Sequence, residues 1–185
     1  MKNTLIVIPG PTGVGKTRFA IDLACRLGCE IISCDSRQFY REMKIGTAAP
    51  SVEELERVRH HFIGFLSVID YYSISRFERD VLSLLPGLFK KNPVAIMTGG
   101  SMLYMDAVCR GMDDIPDTDP AVREKYADIY SREGISGLRI ALKLLDPVYY
   151  SKVDLHNHRR LLRALEITES TGRPYSSFLT AQVRE

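Results

Sequence analysis

The chain has 185 residues, of which 45% are hydrophobic, and its 25 Lys and Arg against 23 Asp and Glu leave a formal net charge of +2. This composition predicts one folded domain with room for a small second lobe. It excludes an intrinsically disordered chain, and no apolar run approaches the roughly 18 residues of a membrane span. Because the net charge is small, any nucleic-acid-binding surface has to come from local clustering of basic residues.

The first part of the chain alternates predicted strands and helices. Apolar runs predict strands at residues 4–8, 31–32, 61–65 and 94–97, and apolar residues at helical spacing predict helices at 16–27 and 75–90. Gly28 is predicted to end the first helix, and Ser51 and Glu54 fit a capping box that opens a short charged helix. Pro86 predicts a kink. This alternation predicts a mostly parallel sheet with helices on both faces.

The pattern changes near residue 113. Residues 113–120 form a turn-rich linker, and the sequence after it predicts three helices at 120–132, 135–145 and 157–171. We therefore expect two domains, an α/β core at residues 1–114 and a helical lobe at residues 115–185.

The stretch between the first strand and the first helix is the most informative part of the chain. It consists of Gly10, Pro11, Thr12, Gly13, Val14, Gly15, Lys16 and Thr17, and it fits G-x-x-x-x-G-K-[ST] at all four fixed positions. In such a loop, backbone N–H groups and a helix N-terminus attract phosphate oxygens, Lys16 adds a point charge, and the Thr17 hydroxyl is a Mg²⁺ ligand. The sequence predicts a site for a phosphate chain, and a glycine-rich turn without a ligand is the competing interpretation.

Asp35 lies where the second strand is predicted to end. Ligands of open α/β sheets lie beyond the carboxyl ends of the strands, so we expect Asp35 to face the same crevice as the phosphate loop. Three roles remain open for it: holding Mg²⁺ through water, accepting a proton or hydrogen bond from a second substrate, or capping the next turn. Ser36, Arg37 and Gln38 follow, and such side chains suit the edge of a base.

A glycine pair follows another predicted buried strand. Gly99 and Gly100 precede Ser101 there, so this turn reaches the same crevice. Two glycines at that position indicate either close approach of a ligand to the backbone or a plain entry into a helix.

One basic cluster stands out in the predicted helical lobe, consisting of His156, His158, Arg159, Arg160 and Arg163. Arg159 and Arg163 are neighbours at i and i+4 on a helix, and Glu166 is placed to pair with Arg163. The cluster is either a solvated helix face or a contact with the phosphate backbone of a nucleic acid.

The cysteines and histidines indicate no metal centre. The four cysteines include no C-x-x-C pair, and none of the four histidines has a metal-ligand spacing with a cysteine. The cysteines are expected to be free thiols in a reducing compartment, and the start of the chain lacks the layout of a signal peptide. We therefore expect a cytoplasmic protein with no membrane partner.

Six stretches follow one another along nearly the whole chain: residues 10–17, 31–40, 43–48, 99–104, 146–147 and 160–166. In this order and combination they resemble the tRNA dimethylallyltransferase family. The resemblance implies an α/β fold. Its core is a P-loop NTPase-like parallel sheet with helices on both faces, and a small helical insertion lobe is added to it.

The resemblance also implies a prenyltransferase. Such an enzyme moves a dimethylallyl group from dimethylallyl diphosphate to N6 of adenine 37, beside the anticodon of tRNAs that read codons starting with U. The products are N6-dimethylallyladenosine and diphosphate. Residues 10–17 would then hold the diphosphate with Mg²⁺ on Thr17. Asp35, Lys16 and Thr17 would be catalytic, with Asp35 taking the proton from N6.

By the same resemblance, the partner is the anticodon stem-loop of tRNA and the protein is a monomer. The residues implied to contact tRNA are Asp35, Ser36, Arg37, Gln38, Ser101, Arg123, Arg159, Arg160, Leu161, Leu162 and Arg163.

The chain departs from the family pattern in three respects. It has His156-Asn157-His158 where an Asn-Asp-Pro-type turn is usual, and Ser101 where Thr is frequent. Family members also continue well past the equivalent of Glu185, so we expect a C-terminally truncated member, for which inactivity is one expected outcome. The alternatives are an adenylate isopentenyltransferase that acts on free nucleotides, a P-loop nucleotide or small-molecule kinase, and a non-catalytic RNA-binding fragment.

Overall fold

The computed structural model describes residues 2–43, 45–113, 115–116 and 118–179. The chain divides into two compact units, and the division falls between Met112 and Asp113. The predicted domain boundary lies two residues later in the sequence. Each unit is built around its own buried apolar residues.

The first unit contains a parallel sheet. Its elements are β1 (Thr4–Pro9), α1 (Lys16–Leu27), β2 (Ile31–Ser33), α2 (Val52–Arg57), β3 (His60–His61), α3 (Ile74–Lys91), β4 (Val94–Gly99) and α4 (Met102–Arg110). The strand order is β1-β4-β2-β3, and every neighbouring pair is parallel. The predicted parallel sheet is therefore confirmed, and the loops after β1, β2 and β4 leave it at the same edge.

Helices cover both faces of this sheet, as predicted. Successive strand residues point to opposite faces, so Ile31 and Ile32 of β2 belong to different cores. Ile31 packs with Ile21 of α1 on one face, and Ile32 packs with Phe77 of α3 and Met105 of α4 on the other. The site at the carboxyl edge of the strands therefore rests on a sheet that is packed from both sides.

The helix ends follow the sequence signals. Gly28 caps α1 in the left-handed conformation, with φ of 63°, and Ser51 and Glu54 form both hydrogen bonds of the predicted capping box. Pro86 lies on the exposed side of α3, and the helix continues through it from Ile74 to Lys91. The helix is therefore continuous at this proline, and the predicted kink stays a prediction.

The third strand is much shorter than predicted. The prediction covered residues 61–65, whereas β3 contains only His60 and His61. Phe62 and Gly64 have positive φ values of 63° and 57°, which ends the extended conformation. The Phe62 ring packs edge-on against Phe77 at 5.2 Å instead, because the aromatic core beneath the loop takes up the apolar run.

The described residues of the second unit fold as helices. They are α5 (Pro120–Leu145), α6 (Pro147–Tyr150), α7 (His158–Thr171) and a 3₁₀ helix (Tyr175–Phe178). Gly134 is non-helical, with φ of 64° and ψ of −159°, and divides α5 where the sequence predicted two helices. Leu138 and Leu142 of α5 pack with Leu161 and Leu165 of α7 in the core. The three predicted helices are confirmed.

A buried carboxylate at the start of α6 forms hydrogen bonds with the 3₁₀ helix later in the chain. Asp146 is fully buried and caps α6 by accepting a hydrogen bond from the Tyr149 N–H at 2.9 Å. The same carboxylate accepts hydrogen bonds from the N–H and the hydroxyl of Ser176, at 2.7 and 2.8 Å. Because its partners satisfy it, this buried acid is a structural residue.

All four cysteines are free, as predicted; Cys25 and Cys109 are exposed, and Cys29 and Cys34 are buried. None of the described helices is both long enough and apolar enough to cross a membrane.

Candidate active site

The phosphate loop connects β1 to α1. Gly13 and Gly15 adopt left-handed φ values of 88° and 84°, which L side chains rarely adopt. Gly15 is the N-cap of α1, and no described side chain caps this helix. The first N–H groups of α1 are therefore available to an anion, together with the positive end of the helix dipole.

Lys16 folds back over the loop. Its ammonium group donates a hydrogen bond to the carbonyl oxygen of Pro11. Among the described residues, no carboxylate forms an ion pair with it. The loop thus carries a cation that is not neutralised by a described acid, next to free backbone donors.

The turns after β2 and β4 come together at very short range. Cys34 N–H donates to Thr98 oxygen at 2.7 Å, and Ser101 N–H donates to Cys34 oxygen at 3.1 Å. A β-carbon on Gly99 would lie 1.9 Å from the Cys34 carbonyl oxygen, so only glycine permits this approach. The predicted glycine pair therefore includes one residue whose role is backbone packing against the neighbouring turn.

Asp35 follows this contact and uses one carboxylate oxygen to shape its own turn. Its Oδ1 accepts a hydrogen bond from the Arg37 N–H at 3.1 Å. No described residue donates a hydrogen bond to Oδ2, which would be 3.7 Å from a β-carbon built on Gly100. The capping role and a ligand-facing role are therefore compatible in one side chain.

A pair of serines connects the turns on either side of Asp35. The Ser101 hydroxyl oxygen accepts a hydrogen bond from the Ser36 N–H at 3.0 Å, and the two hydroxyl groups are 3.2 Å apart. Beneath them, burial raises the pKa of the Cys34 thiol to about 12. The thiol stays protonated at neutral pH and is not a nucleophile there.

The described residues line two cavities at this edge of the sheet. The first, here called the phosphate-loop cavity, has a volume of about 350 Å³. Its walls include Lys16 and Thr17 on one side and the apolar residues Ala48, Ala49, Pro50 and Ile63 on the other. The second, here called the serine cavity, has a volume of about 420 Å³ and is lined by Ser36, Arg37, Gly46, Thr47, Gly100 and Ser101.

Asp35 and Thr12 line both cavities. The phosphate-loop cavity combines a cationic end with an apolar wall, whereas the serine cavity is lined mainly by hydroxyl groups, glycine backbone and a guanidinium group. A carboxylate at the junction can therefore act on a bond that forms between ligands in the two cavities.

These walls include residues that were not predicted as site residues, among them Arg18, Ser33, Glu54 and Ile63. The segment 46–50 borders both cavities, although only residues 46–48 belong to a stretch that resembles the family. His60 also lines the phosphate-loop cavity, and its Nδ1 is 2.8 Å from the Val58 oxygen, which only accepts. Its Nε2 is buried and has no partner among the described residues, and burial lowers the pKa of the ring, so Nε2 is a free acceptor. No sequence signal marked this residue.

The residues of the second unit that were predicted to contact RNA differ in how exposed they are. Arg159 and Arg160 are exposed near the start of α7, where the Asn157 side chain caps the helix. Arg163 is half-buried on the same helix. These three guanidinium groups form no ion pair with a described carboxylate.

Two predictions for the second unit need correction, those for the leucines of α7 and for the partner of Glu166. Leu161 is fully buried in the helical core, and Leu162 packs against that core, so their side chains serve packing rather than RNA contact. Glu166 forms its described ion pair with Arg123, at 3.7 Å, and not with Arg163. Arg123 also donates to the Thr118 hydroxyl at 2.8 Å, and because it is exposed its contact with tRNA stays a prediction.

The first unit defines a class of protein. A phosphate-binding loop at the carboxyl edge of a parallel sheet, with helices on both faces, is the architecture of P-loop proteins. The IPP transferase family model matches residues 38–185. Because this match spans most of the chain, the chain belongs to the IPP transferase family.

Relatives agree with this assignment. The chain is 54% identical over 183 residues to tRNA dimethylallyltransferase 2 of Porphyromonas gingivalis, covering 99% of this chain and 61% of that protein. It is 52% identical over 182 residues to tRNA dimethylallyltransferase 1 of Bacteroides fragilis, covering 98% of this chain and 60% of that protein. The chain therefore spans about three fifths of the length of these curated relatives.

Solved structures show the same fold. The full-length tRNA isopentenylpyrophosphate transferase from Bacillus halodurans is 35% identical, with a TM-score of 0.58 over 94% of this chain and 58% of that one. A eukaryotic dimethylallyltransferase acting on tRNA is 26% identical, with a TM-score of 0.78 over 98% of this chain and 45% of that one. The predicted P-loop NTPase-like fold is confirmed.

Proposed function

We propose that this protein transfers a dimethylallyl group from dimethylallyl diphosphate to N6 of an adenine in tRNA. The observation that carries the proposal is the position of Asp35 in the walls of both cavities. One cavity offers a phosphate site beside an apolar wall, which suits a prenyl diphosphate. The other offers hydroxyl groups and a guanidinium, which suit a nucleotide. The names of the relatives support the same assignment.

In this proposal the phosphate loop holds the diphosphate as a leaving group. The adenine N6 attacks C1 of the dimethylallyl group, the C1–O bond breaks, and the bonding electrons leave with the diphosphate. Lys16 and the free N–H groups of α1 stabilise the negative charge that grows on the departing oxygen. Asp35 accepts the proton that N6 releases, which restores a neutral amine.

Mg²⁺ is the metal that the phosphate-loop pattern implies. It prefers oxygen ligands and commonly takes one or two from the protein and others from substrate phosphates. Thr17 lines the phosphate-loop cavity and offers a hydroxyl oxygen, which is a ligand of the kind that the ion takes, so the residue present fits the ion. When bound, it would supply charge neutralisation on the diphosphate.

For the acceptor, we propose adenine 37, beside the anticodon, in tRNAs that read codons starting with U. The target base has to leave its stack, which costs a few kcal/mol and is easiest in a single-stranded loop. Arg159, Arg160 and Arg163 supply cations for the phosphate backbone of the stem. We propose a cytoplasmic monomer as the working form.

Substitution of the loop lysine tests the donor site. The change Lys16→Met is expected to weaken binding of inorganic diphosphate by about 10- to 100-fold, because it removes charge-assisted hydrogen bonds. Isothermal titration of diphosphate measures this. Lys90→Met, which removes an exposed charge at the end of α3, is the matched control. Equal affinities of the two variants would remove Lys16 from the site.

A transfer assay tests the function as a whole. The 185-residue chain and a form extended to the length of its relatives are each given labelled dimethylallyl diphosphate with unmodified tRNA, with AMP, or without an acceptor. We expect label on tRNA and none on AMP. Transfer to AMP would instead support the free-nucleotide enzyme, and turnover of ATP that dimethylallyl diphosphate fails to inhibit would support a kinase.

A further inference from the structure

The side chain of Gln38 is committed within the protein. Its Oε1 accepts a hydrogen bond from the Ser33 hydroxyl at 3.1 Å, and its Nε2 donates to the carbonyl oxygens of Thr47 and Ala48, both at 3.1 Å. A side-chain amide has two N–H donors, and the two carbonyls occupy both of them. This environment leaves the amide no donor for a base or a phosphate, although the motif predicted Gln38 as an RNA contact.

The backbone that Gln38 holds has a conformation that needs support. Gly46 and Ala48 have positive φ values of 79° and 47°, and Ala48 is one of the few non-glycine residues described in that region. The Thr47 hydroxyl also donates to the Met43 oxygen at 2.7 Å. The Gln38 amide joins this strained segment to the end of β2, because Ser33 is the last residue of that strand.

The segment 46–50 lines both cavities, so the hydrogen bonds from Gln38 that hold it also affect ligand binding. Ala48, Ala49 and Pro50 form the apolar wall of the phosphate-loop cavity, and Gly46 and Thr47 line the serine cavity. One short piece of backbone is thus a wall for both ligands. A side chain that fixes it acts on both cavities at once.

We propose that Gln38 is a positioning residue that holds the segment 46–50 as the shared wall of the donor and acceptor cavities, rather than a contact with RNA. The naming of the two ligands as prenyl diphosphate and tRNA rests on the function proposed above. Gln38 itself lines the phosphate-loop cavity, but its amide is occupied by Ser33, Thr47 and Ala48, so it acts through the segment that it holds.

Arg37 provides a contrast at the adjacent position. It is exposed, lines the serine cavity, and its guanidinium forms no hydrogen bond or ion pair with the described residues. A residue of this kind affects the acceptor alone. Substitutions of Gln38 and of Arg37 should therefore have different effects on donor binding, although the two residues belong to one motif.

The test compares Gln38→Glu, Gln38→Ala and Arg37→Ala. Gln38→Glu keeps the size of the side chain and an acceptor for Ser33 but replaces the two donors by an oxygen that faces two carbonyls. Titration with dimethylallyl diphosphate in the absence of RNA should show affinity about 5- to 10-fold lower in both Gln38 variants and unchanged in Arg37→Ala. The KM for tRNA should rise in all three variants, and the affinity for inorganic diphosphate should stay constant in the two uncharged replacements, Gln38→Ala and Arg37→Ala.

An unchanged donor affinity in the Gln38 variants, with a raised KM for tRNA, would overturn the proposal and restore the RNA contact. Hydrogen exchange of the segment 43–50 without any ligand gives an independent readout and should be faster in both Gln38 variants than in wild type. Unaltered exchange would also overturn the proposal. If wild type fails to bind dimethylallyl diphosphate, the proposed function fails, and the exchange comparison still decides the role of Gln38.

Discussion

Replacement of Asp35 by asparagine is expected to lower the rate constant for prenyl transfer by about 100-fold or more, the range typical of a lost general base. Asparagine retains an Oδ1 that can accept the Arg37 N–H, so the turn that Asp35 caps is preserved. The carboxylate that takes the N6 proton is absent. We expect dimethylallyl diphosphate to bind this variant as well as it binds wild type or better, because one negative charge is removed from the cavity.

The measurement is single-turnover transfer to tRNA in the extended form of the protein. Asp70→Asn is the matched control, since Asp70 also caps a turn, accepting from the Ser67 N–H at 2.7 Å, and lines neither cavity. Asp35→Ala should be equally inactive and also less stable than Asp35→Asn, because it loses the cap. Normal turnover by Asp35→Asn would reduce Asp35 to a structural cap.

The second large effect is expected for Gly99→Ala. The added methyl group would lie 1.9 Å from the Cys34 carbonyl oxygen and 2.2 Å from its carbon, both backbone atoms in a paired strand end. Relief requires β2 and β4 to separate where Cys34 bonds Thr98 and Ser101. We expect the free energy of unfolding to fall by about 4 kcal/mol or more, which is a larger loss than most single substitutions cause.

Gly100→Ala is the internal control for this prediction. A β-carbon there has its nearest contacts at 3.7 Å, from Asp35 Oδ2 and the Gly10 oxygen, which is an ordinary van der Waals distance. This variant should unfold in urea at nearly the wild-type midpoint. Where Gly99→Ala is too unstable to purify, its soluble yield beside that of Gly100→Ala gives the same comparison. Equal stability of the two variants would contradict the close approach of the two turns.

Much of the fold was predictable because its signals are local. The capping box at Ser51 and Glu54, the left-handed cap at Gly28 and the break at Gly134 depend on backbone conformations that particular residues favour. The alternation of strands and helices then restricts the sheet to parallel pairing. The prediction was wrong for residues 62–65, where aromatic packing beneath the loop outweighs an apolar strand pattern.

The candidate site divides in the same way. The phosphate loop is a contiguous motif, so its conformation and its helix N-terminus follow from residues 10–17 alone. The segment 46–50 and His60 lie in the cavity walls only because the fold of the chain brings them there. No motif or residue spacing in the sequence predicts this. Leu161 shows the opposite kind of error. It lies in a motif that predicted RNA contact, but its side chain is buried in the core of the second unit.

The sequence by itself determined the phosphate loop, the parallel sheet, the placement of Asp35 at a strand end and the change to a helical unit, which it placed within two residues of the observed division. These properties arise from short-range chemistry, in which a residue and its near neighbours set the backbone. Only the tertiary structure decided that Asp35 borders two cavities, that Gln38 bonds Thr47 and Ala48, and that Arg123 pairs with Glu166. Hydrogen-bond partners and cavity walls depend on which distant segments share space, and that is settled by packing.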